Sequence, residues 1–279
     1  MNWSPFNPEF MTDPARGHQY LLNECPVHYC DMFEPPFYTL SRYGDVENAL
    51  RDIKTFSSHF GQGPRFTEPA GMLCDPPQHT QYRKLIQQAF TPKAVAELRP
   101  MVVSLASRLV DDILAGERGF DLHDDLAFPL PVIIIAGMLG VPAEDLEDFK
   151  RWSDMQVELM GSEDPSQYVD EQTRFQAYMH AHMMSRRSLI ESGAEVPEDL
   201  LTLVASAKTD TGEYIPDGDA LSMLNQLLVG GNETTTSLIT NMIWRLLEVP
   251  SLWQEILDDE SLIGAAVEES LRFDPPVLG

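Results

Sequence analysis

The stretch from Asp219 to Glu248 reads as one uninterrupted helix, and it limits the fold more than any other feature of the chain. At 1.5 Å per residue its 30 or so residues run roughly 45 Å, the breadth of a whole domain, so the remaining elements must be arranged around it. Its centre, LLVGGNETTTSLI (227–239), holds two glycines and three consecutive threonines. Each interior glycine costs about 1 kcal/mol relative to alanine, and each β-branched threonine several tenths more. Two readings account for a helix that keeps them. In one, Gly230 and Gly231 let something flat or bulky approach the backbone. Glu233 and Thr234 then add a carboxylate and a hydroxyl beside that clearance, a proton source and a positioned donor. In the other, the glycines permit close helix–helix packing and the threonines bond back to carbonyls of their own helix. A phosphate loop is excluded, because no Gly-Lys-Ser/Thr follows.

The rest of the chain from residue 75 onward is helical by spacing. Gln78–Phe90 and Pro100–Leu114 carry apolar residues three and four apart, the second with proline in a tolerated first-turn position. Asp124–Leu139 is apolar nearly all round and is expected to be buried. Ala143–Gly161, Ser166–Glu191, Glu198–Ala207 and Leu262–Phe273 complete the series, and 207–220 reads as a loop or small hairpin. Residues 1–70 are rich in proline, aromatics and turn formers, with a short strand and a helix expected over 37–50. No repeat or linker interrupts the pattern, so 1–279 is expected to form a single, mainly α domain with a small N-terminal β region. A chain of 279 residues that is 43% hydrophobic can bury a sizeable core.

Nineteen basic against forty-four acidic residues give a net charge of −25, which argues against nucleic acid or an anionic membrane as partner. Residues 78–110 invert the balance: Arg83, Lys84, Lys93, Arg99 and Arg108 face a single acid, Glu97. The longest apolar run, 129–141, is broken by prolines and is shorter than the roughly 18–20 residues that span a bilayer. The first residues lack the basic flank and apolar core of a secretory signal, and Cys25, Cys30 and Cys74 cannot build a disulfide framework. The cytoplasm is the expected compartment, with no membrane span.

Two further patterns carry chemistry. In DPPQHTQYRKLIQQAFTP (75–92), His79 and Arg83 share a helix face at i, i+4 within the basic island, placed to hold an acidic group together. In AVEESLRFDPP (266–276), Glu269 and Arg272 stand at i, i+3, the spacing of a charge-assisted pair. Neither spacing is diagnostic alone, since His182/Arg186 and Glu171/Arg174 repeat them. Other all-helical enzymes fit poorly. DDLAF (124–128) lacks the downstream acid of a terpene cyclase, and no Glu-x-x-His pair of a di-iron bundle occurs.

With their flanks, these segments resemble the cytochrome P450 family of heme-thiolate monooxygenases, in its soluble bacterial type. DPPQHTQYRKLIQQAFTP, LAFPLPVIIIAGMLGVP (126–142), LLVGGNETTTSLI and EESLRFDPPV follow in the family's order over nearly the whole chain. The resemblance implies a cytochrome P450 fold whose long central helix passes over heme b (iron protoporphyrin IX). Gly230 and Gly231 would make room at the heme for dioxygen and substrate. Thr234 would hydrogen-bond the activated oxygen, and Glu233 would gate protons from solvent. His79 and Arg83 match the family's propionate contacts, and Glu269 and Arg272 its internal salt bridge. Gln226, Val229, Gly230 and Thr234 would line the substrate side.

The implied reaction inserts one oxygen atom from O2 into a small or medium apolar substrate. A ferredoxin or flavodoxin-like donor would dock near Arg83 and Lys84. The loop 59–73, with Arg65, and the segment holding Met155, Met160, Met179, Met183 and Met184 correspond to elements that cover the substrate. The sequence departs from the family in one respect: the axial cysteine is expected beyond Gly279, in a C-terminal third absent here. The competing expectation is a non-catalytic, truncated or degenerate homologue that acts as a ligand-binding helical protein.

Overall fold

The computed structural model describes residues 3–4, 7–32, 34–61, 68–116, 119–161 and 164–277. The chain divides into two compact units, residues 1–82 and 83–279. In the first, α1 (Pro8–Thr12) and α2 (Pro14–Asn23) begin on proline, whose missing N–H costs nothing in a first turn. Asn7 and Asp13 cap them by accepting from the amides of Glu9 and Arg16. Strands β1 (Val27–Cys30) and β2 (Phe37–Leu40) pair antiparallel, with Val27 opposite Leu40 and Cys30 opposite Phe37. Helix α3 (Tyr43–Arg51) follows, so the strand and helix expected over 37–50 are present. Trp3, Phe10 and Leu21 form a small core.

Helix α4 (Gln78–Gln87) leads into the second unit, which is helical throughout. Its elements are α5 (Pro92–Ala115), a π-helical turn at His123–Ala127, α6 (Pro129–Leu139), α7 (Leu146–Gly161), α8 (Val169–Ser192), α9 (Leu200–Ser206), α10 (Asp217–Glu248), α11 (Pro250–Asp258) and α12 (Ile263–Phe273). Helix α5 starts eight residues earlier than its apolar spacing suggests. The Thr91 hydroxyl accepts from the Ala94 amide at 3.3 Å and Pro92 fills the first turn. Pro100 therefore sits in the helix interior, not in the first turn as its sequence suggests.

The 32-residue α10 is the axis of this unit, about 48 Å long. Helix α6 packs on it, and Val132, Met223, Leu224 and Leu228 are wholly buried. Burial of Met155, Met179 and Met183 places those three in the core, while Met184 is exposed. Met160 and Arg65 lie outside the residues whose side chains are described.

The start of α10 is anchored by a buried cation. Arg187 of α8 donates to the carbonyls of Ala205 (3.2 Å) and Ile215 (3.3 Å), pairs with Asp217 and lies 4.6 Å from the Tyr214 ring centre. A buried guanidinium is tolerable only when its donors are filled in this way. The Arg187 hydrogen bond is the main reason that the Asp217 carboxyl lies below its ordinary range. Among the described residues no helix is long and apolar enough to cross a membrane.

Candidate active site

The midpoint of α10 realises both readings of its sequence, at different residues. A methyl group placed on Gly230 meets no atom within 4 Å, so that face of the helix is open. One placed on Gly231 lies 3.1 Å from Cδ1 and Cγ1 of Ile135, so this glycine is where α6 closes on α10. The open face belongs to Gly230, whereas Gly231 packs against α6. This separates two substitutions. Gly230→Ala is expected to stabilise by about 0.5–1 kcal/mol through helix propensity. Gly231→Ala is expected to cost about 1 kcal/mol net, overpacking outweighing the propensity gain. Urea midpoints check both, and Ile135→Val, which removes the crowding Cδ1, should relieve the second.

At 100° per residue, Gln226, Glu233 and Thr234 fall within about 60° of Gly230, while Val229 lies about 100° round on the flank. Gln226 and Val229 are half-buried, and the Gln226 amide donates to Ser222 Oγ at 2.7 Å. Thr234 and Thr235 bond back to the carbonyls of Gly230 (2.8 Å) and Gly231 (3.2 Å). Both carbonyls already accept a helix amide, so neither hydroxyl is committed to an orphan group.

Thr236 differs. Pro131 has no N–H, so the carbonyl of Ala127, at the end of the π-helical turn, has no amide four residues on to accept from. The Thr236 hydroxyl, buried, lies 3.2 Å from that oxygen and fills the gap. It is also 3.2 Å from Asn232 Oδ1, and its one proton is shared between the two. The Asn232 amide in turn donates to Ser153 Oγ of α7 at 2.7 Å, with both side chains buried. Sequence reasoning missed Asn232 and Ser153. The Pro-Leu-Pro of 129–131 signals a carbonyl in need of another donor, but that donor is Thr236, and neither Asn232 nor Ser153 is marked by it.

Beside this contact Glu233 is half-buried. Although Asp154 is exposed, desolvation by its neighbours holds its carboxyl above the ordinary value; Glu158, Asp124 and Glu233 add to the rise and His123 opposes it. The folded chain thus holds this proton more tightly than the unfolded chain, and Asp154 costs stability as pH climbs above the ordinary carboxylate value. Asp154→Asn is therefore expected to raise the melting temperature at pH 7 only slightly, because solvent screens an exposed carboxyl. The gain should vanish below about pH 4, where the carboxyl is protonated in both states.

On α4, His79 is half-buried and Arg83 exposed one turn later, and neither forms an ion pair among the described residues. Lys84, Arg99 and Arg108 are likewise exposed, with no acidic partner among the described residues, while Lys93 stands 3.8 Å from Glu97. Glu269 and Arg272 on α12 meet in a fork, with Nε to Oε2 at 2.8 Å and Nη2 to Oε1 at 2.6 Å. That pairing holds the Glu269 carboxyl below its usual range, although both side chains are exposed. Glu171 and Arg174 pair at 2.7 Å, so the spacing alone is no marker of function. Arg186 bonds instead to Asp199 at 2.7 Å. Asp274, of the FDPP segment, ties α12 to α10 through Arg245 at 2.7 Å and the Asn241 amide at 3.2 Å.

Among the described residues no three His, Cys, Asp or Glu side chains gather as a metal site. Cys30 is buried in β1, the Cys25 sulfur lies 3.6 Å from His28 Nδ1, and the Cys74 thiol donates to the Gly71 carbonyl at 2.9 Å.

The chain is 33% identical over 284 residues to the vitamin D(3) 25-hydroxylase of Pseudonocardia autotrophica, covering 98% of this chain and 67% of that protein. It is 37% identical over 277 residues to the cytochrome P450 monooxygenase PikC of Streptomyces venezuelae, covering 96% and 64%. Its fold superposes on cytochrome P450 CYP109Q5 from Chondromyces apiculatus with a TM-score of 0.81 at 35% identity, covering 96% of this chain and 67% of that one. No family model matches. The chain spans about two thirds of the length of these relatives.

Proposed function

Because this chain belongs to the cytochrome P450 family, we propose that the whole protein is a heme-dependent monooxygenase that inserts one oxygen atom from O2 into an apolar organic substrate of small or medium size. The observation that carries this reading is the open face at Gly230, bordered on the same side of α10 by a carboxylate and a hydroxyl. Heme b is the family's cofactor, and when bound it supplies the redox chemistry that activates dioxygen.

The residues present fit one side of such a group. Gly230 leaves the clearance a flat macrocycle needs. His79 and Arg83, one turn apart and without acidic partners among the described residues, are suited to its two propionates. None of the three cysteines suits the role of iron ligand: one is buried in a strand and the other two are engaged locally. In this reading the thiolate comes from the part of the family's length that the chain does not span.

The chain's own residues then divide the work. The Thr234 hydroxyl can leave its redundant bond to Gly230 by a rotation about one side-chain torsion and donate toward the open face. Glu233, half-buried beside it, takes protons from solvent and passes them inward. Gln226 and the flank at Val229 contact the substrate. The relative named a vitamin D(3) hydroxylase is in keeping with an apolar substrate. Arg83 and Lys84, exposed cations with no acidic partner among the described residues, suit an acidic electron donor of the ferredoxin or flavodoxin type.

The test is the difference spectrum of the reduced protein with carbon monoxide, taken on material from the native source. A red-shifted heme band of the thiolate type is the expected result. Protein without any heme band would end the monooxygenase reading.

A further inference from the structure

Resting on the monooxygenase reading, we propose that Asn232 is a positioning residue: clamped to Ser153 of α7, it fixes the rotation of α10 about its own axis and so aims Glu233 and Thr234 across the open face.

Asn232 lies roughly 160° around the helix from Gly230, so it grips the back of α10 while the chemistry faces the other way. Its side chain is wholly buried and satisfied at both ends. Nδ2 donates to Ser153 Oγ at 2.7 Å, and Oδ1 accepts from Thr236, whose hydroxyl also serves Ala127. Three elements, α7, α10 and the π-helical turn, thus meet in one chain of hydrogen bonds.

Apolar packing on this stretch cannot do the same alone. Buried Leu224 and Leu228 seat the helix upstream, but at Gly231 it meets α6 through a residue without a side chain, which offers no directional contact. Directional bonds at Asn232 resist it. Side-chain tips stand about 5 Å from a helix axis, so a rotation of about 12° moves the Thr234 hydroxyl by about 1 Å. A displacement of that size can cost a reaction up to about 100-fold. The clamp also makes the site sensitive to α7. Ser153 lies between Trp152, whose indole donates to Glu171 of α8, and Asp154, whose carboxyl senses Glu233. A shift of α7 would therefore reach the α10 face that carries Glu233 and Thr234 through the Asn232–Ser153 hydrogen bond.

Ser153→Ala, Asn232→Leu and the double variant test this in the complete heme-loaded protein, with two readouts. Hydrogen–deuterium exchange of 228–238 is expected to rise several-fold in each variant, with 217–226 unchanged. Product formed per reductant consumed is expected to fall about tenfold. The double variant should be no worse than either single one, because the two residues act through one bond. Wild-type exchange over 228–238 in both single variants would overturn the proposal. So would a lowered melting temperature with coupling intact, or losses that add in the double variant. A wild-type protein lacking a heme band would instead count against the monooxygenase reading, and the exchange measurement would still decide the clamp.

Discussion

Thr234→Ala in the complete protein is expected to lower product formed per reductant consumed by at least about tenfold, a part of the roughly 10²–10⁴ that positioned proton transfer contributes. Heme content and melting temperature should stay near wild type. The second half of this expectation follows from the hydrogen bonding. The Thr234 hydroxyl donates to the Gly230 carbonyl, which has its own helix amide, so its removal orphans no buried group. Alanine is also the better helix former, by several tenths of a kcal/mol. A loss of coupling therefore cannot be assigned to unfolding. Parallel assays of reductant and product check it, and unchanged coupling would remove Thr234 from the mechanism.

Glu269→Ala should act in the opposite way, lowering heme incorporation while doing little to the stability of α12 and its neighbours. Both partners of the Glu269–Arg272 fork are exposed, and an exposed pair contributes little to the stability of the chain that carries it. If the family's internal salt bridge is its role, its weight lies in contacts made by the complete protein. The expected loss of heme affinity is on the order of 10–100-fold, the range typical of groups that support a cofactor's ligands without touching the metal. Arg272→Lys should reproduce much of it, because an ammonium cannot form the fork. Heme quantified against protein decides the matter, and a fully loaded Glu269→Ala protein would contradict the structural role.

Much of the helical unit was legible because its apolar residues recur at three and four, a period that, sustained over many turns, only a helix puts on one face. The first unit was less so. Its strands are four residues long and α1 five, too short for any period, so β1 and the two N-terminal helices were not expected. Pro100 misled because the favourable first-turn position it suggests is already taken by Pro92 behind the Thr91 cap.

At the candidate site, Gly230 and Gly231 were legible as a pair but not as two roles. The difference lies in Ile135, nearly a hundred residues away in sequence. The Asn232–Ser153 bond spans 79 positions and joins two residue types that are unremarkable in a helix. Nothing local marks either, and only the fold brings them together.

The seven residues from Gly230 to Thr236 meet a succession of different surroundings: open space, Ile135, Ser153, the Asp154 carboxyl, two carbonyls of their own helix and the Ala127 oxygen. For anyone mutating this segment, Gly231, Asn232 and Thr236 are fixed by what they touch, whereas Gly230, Thr234 and Thr235 can change without orphaning a buried group. A library that varied the first three would spend most of its members on misfolded protein. Val229, half-buried on the flank one turn upstream of Glu233, can be varied while leaving those contacts alone.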